Sequence, residues 1–227
     1  MLSAYAADSG RAKPDFMLFD LGLSMHQLQG SGRGFSFAVD ENLDMRFSPD
    51  AATSAFDLVN STREDELADI IYKYGEEKLS RRIAKAICEA RKRAPIRTSA
   101  ALAYIIGGAV PASYRYGRIH PATRTFQALR ISVNDELGRE ERALSTAAGL
   151  LAPGGILAII SFHSLEDRIA KLLCREYKRN RGYEEIYNPP LTPSPEECAR
   201  NPASRSAKLR ALRAPAAAES APEGGSR

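Results

Sequence analysis

The sequence predicts an α/β protein interrupted by a helical block, and three observations predict it. A short apolar run, Phe16 to Phe19, ends on Asp20 and is followed by Gly22 and Ser24. A second run, Ile156 to Ile160, ends on Ser161-Phe162-His163-Ser164. Between them, from about 50 to 118, apolar residues recur at helical spacing. Runs this short, closed by Gly or Ser, fit fully buried strands of a parallel sheet better than helices. In open α/β sheets the ligand crevice lies beyond the carboxyl ends of such strands. Asp20 therefore stands at the predicted crevice, and Gly22 lets the backbone pass close to what binds there. The plainer alternative is an ordinary strand-end Asp that caps the next turn.

Residues 1–14 are small and polar and read as poorly tied down. Met1-Leu-Ser-Ala-Tyr-Ala-Ala has no basic start and no long apolar core, so it does not read as a secretory signal. The run Gly30-Ser-Gly32-Arg-Gly34-Phe35-Ser36-Phe37 is rich in glycine, but no Gly-Lys-Ser/Thr and no helix start follow it. That excludes a nucleotide P-loop and predicts a mobile loop over the crevice. In the helical block, Ser61-Thr62-Arg63-Glu64-Asp65 predicts a helix start with capping-box chemistry. Leu67, Ile70, Ile71 and Tyr74 then form one apolar face, and Gly75 closes the helix. Leu79, Ile83 and Ile87 mark a second helix, stopped by Pro95. A third starts at Thr98 or Ser99, carries Leu102, Ile105 and Ile106, and ends at Gly107-Gly108 and Pro111.

Charge is concentrated in this block. The 227-residue chain carries a formal +4, yet residues 61–130 alone hold 14 Lys and Arg against 7 Asp and Glu. A charge run is usually a solvated face; the functional reading is a surface that contacts phosphates without reading sequence. Arg81, Arg82, Arg118, His120 and Arg124 are the candidates for contact with a nucleic acid, with Tyr114 and Tyr116 as groups that could stack on bases. Cys88, Cys174 and Cys198 are far apart, no Cys-x-x-Cys occurs, and only three histidines are present. A metal site and structural disulfides are therefore not expected, which points to a reducing, cytoplasmic setting.

After the block, a helix is expected through Leu144 and Leu150-Leu151, a turn at Pro153-Gly154-Gly155, then the second strand. His163, at the end of that strand, is by itself more readily a satisfied semi-buried histidine; beside Asp20 it becomes a site candidate. Asn188-Pro189-Pro190-Leu191 imitates the Asn/Asp-Pro-Pro-aromatic motif of amino methyltransferases. It lacks the preceding apolar strand and the final aromatic, and is read as a surface loop, which leaves a DNA amino methyltransferase as a weak third reading. Residues 206–213 alternate as a last strand would, and the Ala/Pro/Glu/Gly tail from Ala214 is expected to be disordered.

Several of these stretches, in this order, closely resemble the 16S ribosomal RNA cytosine-N4 methyltransferases, the RsmH or MraW family. They are Asp20-Leu-Gly-Leu-Ser24 with Gln27, Arg33-Gly-Phe-Ser-Phe37, Leu43-Asp-Met-Arg46, Tyr74-Gly-Glu-Glu77 and His120-Pro-Ala-Thr-Arg-Thr-Phe-Gln-Ala-Leu-Arg-Ile131. Asn134-Asp-Glu-Leu137, Leu151-Ala-Pro-Gly-Gly155, Ser161-Phe-His-Ser-Leu-Glu-Asp-Arg168 and Ser204-Arg-Ser-Ala-Lys-Leu-Arg210 continue the match. It runs from about Asp15 to Arg213, and its most specific parts are 120–131 and 161–168. Leu23-Ser24-Met25-His26 departs from the Val-Ser-Ser-Pro usual before the family's glutamine.

The resemblance implies a partial class I (Rossmann-like) methyltransferase sheet that lacks its first strands, with an inserted helical domain. Its divisions would be residues 1–49, an insert at 50–118, the remainder of the sheet domain at 119–213, and the tail at 214–227. The family's opening strand and glycine-rich cofactor loop have no counterpart before Asp15, so an open sheet edge is expected. The implied activity is S-adenosylmethionine-dependent methylation of a cytosine N4 in the decoding region of 16S rRNA. Asp20 and Gln27 are the implied cofactor contacts. Asp20, Ser161, His163 and Ser164 are the catalytic candidates, with Asp20 first as acceptor for the amino proton. The implied partner is 16S rRNA in the small ribosomal subunit of a bacterial cytoplasm, with no membrane, no metal, and a homodimer as one admissible assembly. The alternative reading is a non-catalytic RNA-binding fragment.

Overall fold

The two apolar runs form the expected parallel pair. β1 (Phe16–Asp20) lies beside β2 (Ile156–Ser161) with Phe16 opposite Ile156 and Asp20 opposite Ile160. Leu21 N–H continues the ladder to Ile160 O at 3.0 Å. The computed structural model describes residues 12–22, 31–117 and 119–217. The chain divides into two compact units, residues 1–22 with 137–227, and residues 23–136.

In the first unit the sheet runs β1-β2-β4-β3 among the described residues, with β3 (Glu184–Glu185) and β4 (Lys208–Arg213). β4 is antiparallel to both of its neighbours. The strand expected at 206–213 forms over Lys208–Arg213, with Ser206 ending a 3-10 turn, and Asn188-Pro189-Pro190 lies in the segment after β3 with Asn188 and Pro189 exposed, a surface loop as expected. With helices on this sheet, the unit is a Rossmann-like α/β fold.

β1 departs from the expectation of a fully buried strand. Met17 and Phe19 pack on the core, but Phe16 and Leu18 are 59% and 54% exposed. Among the described residues β1 pairs on one side only, and only one of its faces is covered within this unit. That covered face carries the core. Leu157 and Ile159 of β2 meet Leu144, Ala147 and Ala148 of a helix at Glu136–Leu150, and Ala170, Leu173 and Cys174 of a helix at Ser164–Arg181. Two tyrosines lock the packing: Tyr177 donates to Ser145 O at 3.0 Å and Tyr183 to Ala148 O at 2.8 Å. Burial pushes the Cys174 thiol up to about 12, so it is a core residue without thiolate chemistry. All three cysteines are free.

The second unit is helical and wider than the block expected at 50–118. It is built from α1 (Ala55–Ser61), α2 (Glu64–Gly75), α3 (Ser80–Arg91), α4 (Ser99–Ala109), α5 (Ala112–Arg115) and α6 (Thr123–Asn134). In chain order the helices of the first unit are then α7 (Glu136–Leu150), α8 (Ser164–Arg181) and α9 (Pro195–Arg200). α6 belongs to the helical unit because Phe126 and Leu129 share its core with Leu67, Ile71, Ile83, Ile87, Leu102 and Ile106. Gly75 lets α2 and α6 approach closely: a Cβ there would lie 2.5 Å from Arg124 O.

Two local expectations differ. The capping box is not at Ser61–Asp65. Ser61 ends α1, and α2 starts from Arg63 without a side-chain cap. The box sits one helix earlier, where Ser54 and Asp57 cap each other's backbone N–H. The glycine-rich loop is anchored rather than mobile over its described part. Phe35 is buried and stacks on Phe47 at 5.7 Å, and Phe37 meets the Phe126 ring edge-on at 5.1 Å. The aromatics that follow the glycines anchor the run. Gly34, at φ +69°, is a required glycine, since a Cβ would collide with Asn42 O.

Candidate functional site

At the carboxyl end of the parallel pair, Asp20 is exposed, and among the described residues its carboxylate has no hydrogen bond or ion pair. Gly22 follows at φ +97°, a conformation that side-chain-bearing residues rarely adopt, so the backbone beyond Asp20 is bare. Gln27, the other expected cofactor contact, lies outside the described residues, as does Arg118.

The end of β2 is built differently. Ser161 is 1% exposed and sits one residue beyond the partner of Asp20. His163 is the N-cap of α8, with its Nδ1 accepting from Glu166 N–H at 3.3 Å. That acceptor role places the ring proton of the neutral form on Nε2. The Glu166 carboxylate returns the cap: it accepts from Phe162 N–H at 2.8 Å and His163 N–H at 3.2 Å. His163 Nε2 is 3.1 Å from Glu166 Oε1 but is not aligned as a hydrogen bond, so that contact is electrostatic. Burial pushes the Glu166 carboxyl up, and the His163 ring with the two N–H groups more than offsets it, holding the group below its ordinary value. Ser164 is exposed at the first position of α8.

Beside it, Asp167 accepts from Lys208 Nζ and Arg210 Nε, both at 2.8 Å, tying α8 to β4. Burial raises the Asp167 carboxyl and these two cations lower it further, leaving it below the ordinary range. Glu166 was missed by sequence reasoning, although an acidic residue three positions after a helix N-cap is the signal for a reciprocal cap.

On the helical unit the expected RNA contacts separate. Arg81 and Arg82 are exposed in the first turn of α3 and line a cleft of about 410 Å³ with Lys78 and Tyr72. The α3 N-terminus has no side-chain cap and no acidic residue in its first turn. His120 and Arg124 line a second cleft, of about 210 Å³, with Tyr114 and Glu77. Tyr114 is not a free stacking group there, because its hydroxyl donates to Glu77 at 2.6 Å. Glu77 is fully buried, also accepts from Leu79 N–H, and has the Arg124 guanidinium at 4.0 Å. Burial and the Glu77 carboxylate both push the Tyr114 hydroxyl up. Tyr116, by contrast, is 89% exposed. Arg91, counted with the basic face, is committed inward: it donates to Val59 O and Thr62 O, both at 2.7 Å.

A parallel strand pair extended by an antiparallel strand, with an exposed carboxylate at the carboxyl end of β1, defines the class: a Rossmann-like α/β protein. The chain belongs to the MraW methylase family, whose profile matches residues 1–214. It is similar to proteins named ribosomal RNA small subunit methyltransferase H. The one from Methylobacterium sp. (strain 4-46) is 50% identical over 226 residues, 92% of this chain and 66% of the relative. The one from Persephonella marina is 53% identical over 194 residues, 86% of this chain and 66% of the relative. The one from Synechococcus sp. (strain WH7803) is 52% identical over 199 residues, 87% and 64%. The chain thus spans just under two thirds of the length of these relatives. No helix among the described residues is long and apolar enough to cross a membrane.

Proposed function

We propose that this chain carries the acceptor side of a methyl transfer to the N4 amine of a cytosine in 16S ribosomal RNA, with S-adenosylmethionine as donor. The observation that carries the reading is the Asp20 carboxylate at the end of β1, exposed and without a partner among the described residues, beside Gly22. Family membership and the names of the relatives support the substrate class. The residues present suit such a donor: a carboxylate accepts from an amino or ammonium group, and a bare backbone at Gly22 admits a ligand closely. S-adenosylmethionine, when bound, supplies an electrophilic methyl group. Gln27 is the second proposed contact.

A cytosine amine is a poor nucleophile because its lone pair is delocalised into the ring. Asp20 is the first candidate to accept a hydrogen bond from that N–H, with donor binding as its competing role; as acceptor it draws the pair back onto nitrogen and takes the proton that the methylated amine releases. Ser161, His163 and Ser164 are the second proposed group, and their loop shapes the wall of the site while Glu166 holds its backbone. Most of the acceleration comes from holding the amine in line with the methyl carbon. The base must leave its stack to enter, which flexible or single-stranded RNA makes easier. Arg81, Arg82, Arg118, His120 and Arg124 would hold the RNA through its phosphates. The helical unit, residues 23–136, is proposed as the substrate-recognition insert, and the assembly works in the cytoplasm on the small ribosomal subunit.

The test is calorimetric titration of the folded chain with S-adenosylmethionine, followed by methylation of small ribosomal subunits. Saturable binding that Asp20→Ala removes is the expected result. Equal binding and turnover by wild type and Asp20→Ala would refute the role given to Asp20.

A further inference from the structure

A groove of about 460 Å³ on the helical unit has a lining that suits neither core packing nor a plain solvated surface. One wall is the Phe37 ring stacked on His120 at 4.5 Å and 28°. Phe37 is held from behind by Phe126, while His120 is exposed. Tyr104 of α4 also lines the groove and is 85% exposed. Arg115 adds a guanidinium, and none of the lining residues is acidic.

The floor is the bare face of α4, where Ala100, Ala103, Gly107 and Gly108 fall on one side of the helix. Glycine in a helix interior costs about 0.5–1 kcal/mol relative to alanine. Nothing among the described residues requires these two: a Cβ added at either meets none of their atoms within 4 Å. Gly75 is the contrast, since its missing side chain is filled by Arg124 O of the neighbouring helix.

We infer that this groove is a subsite for one unstacked nucleobase of single-stranded RNA, stacked between Tyr104 and the Phe37–His120 pair with its phosphate at Arg115. The inference rests on the RNA reading above and adds to it a second point of contact, distinct from Asp20 and from the Arg81–Arg82 cleft. Charge and shape select the ligand class. An aromatic slot with a cation and no carboxylate favours a flat, anionic partner, and base–aromatic stacking is available to every base. A double helix keeps its bases stacked inside and cannot fill the slot.

The test uses the 227-residue chain and fluorescence anisotropy with a short fluorescent single-stranded RNA and a duplex of the same sequence. Gly108→Leu fills the groove at a helical position where a side chain has room, so its melting temperature should not fall. Single-strand affinity should drop about tenfold, the scale of one lost base stack, while duplex affinity is unchanged. Tyr104→Ala should do the same. Arg81→Ala should weaken both RNAs, because phosphate contacts are blind to strandedness. Unchanged single-strand binding by Gly108→Leu and Tyr104→Ala, in a chain that Arg81→Ala does weaken, would overturn the subsite alone and leave the groove to a protein partner. Equal loss on both RNAs would also overturn it. A wild-type chain that binds neither RNA would overturn the RNA reading and this inference together.

Discussion

Replacing Glu166 with Ala removes a buried side chain that holds the end of β2 in shape. Its carboxylate is 3% exposed as a residue and accepts from the N–H groups of Phe162 and His163 at 2.8 and 3.2 Å. A hydrogen bond to a charged group contributes about 1.5–3 kcal/mol, and a buried donor left without a partner costs about 1–3 kcal/mol. Two such donors at the low end give about 3 kcal/mol, or roughly 150-fold in an opening equilibrium. Because the chain has two units, a single unfolding midpoint is a poor gauge. Amide hydrogen exchange at residues 162 and 163 is the direct one. Their protection should fall by about two orders of magnitude in Glu166→Ala, and by about half as much in free energy in Glu166→Gln, which keeps one acceptor oxygen. The Ser161–Ser164 loop would then lose its fixed geometry, and methyl transfer by an assembled enzyme should fall with it. Protection within threefold of wild type in Glu166→Ala would refute the assignment of this carboxylate as the loop's anchor.

Two further outcomes follow from packing and titration. Gly75→Ala gains helix propensity of about 1 kcal/mol but places a methyl 2.5 Å from Arg124 O, which forces α2 and α6 apart and weakens the Gln127 bond to Tyr74 O. Amide exchange protection in α2 and α6 should fall, and a rise would contradict the close approach. Glu166 and Asp167 are both held below their ordinary values of 4.5 and 3.8. Groups with lowered folded values contribute stability that is complete above the unfolded values and lost as pH falls through the folded ones. The sheet unit should therefore keep its exchange protection down to about pH 5 and lose it below about pH 4, with the α8 N-terminus opening first. Flat protection through that range would contradict the assigned carboxylate partners.

The strands were legible because a run of four or five apolar residues closed by polar groups has few other folded solutions. The helices were legible from their spacing, and the break at Pro95 and the start at Thr98 came from local backbone chemistry that tertiary contacts did not override. What was not legible depended on partners distant in sequence. Asn134 donates to Met45 O and accepts from Phe47 N–H, 87 to 89 residues away, and nothing local to either stretch announces the pairing. The same holds for Tyr114, whose position among arginines suggested base stacking until Glu77 claimed its hydroxyl. The capping box at Ser61–Asp65 failed for a different reason. The pattern is short enough to occur by chance, and a helix that already ends at Ser61 takes that residue out of the next helix's start.

The two strand ends show why the candidate site was only half legible. Polar groups after an apolar run serve either to satisfy the backbone where the ladder stops or to meet a ligand, and a sequence presents both uses alike. At β2 the polar groups serve the first. His163 and Glu166 close a reciprocal cap on α8, so neither the Nδ1 of His163 nor the Glu166 carboxylate is available as a base without opening the helix start. At β1 the Asp20 carboxylate is exposed and has no hydrogen bond or ion pair among the described residues. Asp20 is proposed ahead of His163 because the His163 Nδ1 is already committed to the α8 cap, and a nitrogen that holds a helix start is not open to a substrate.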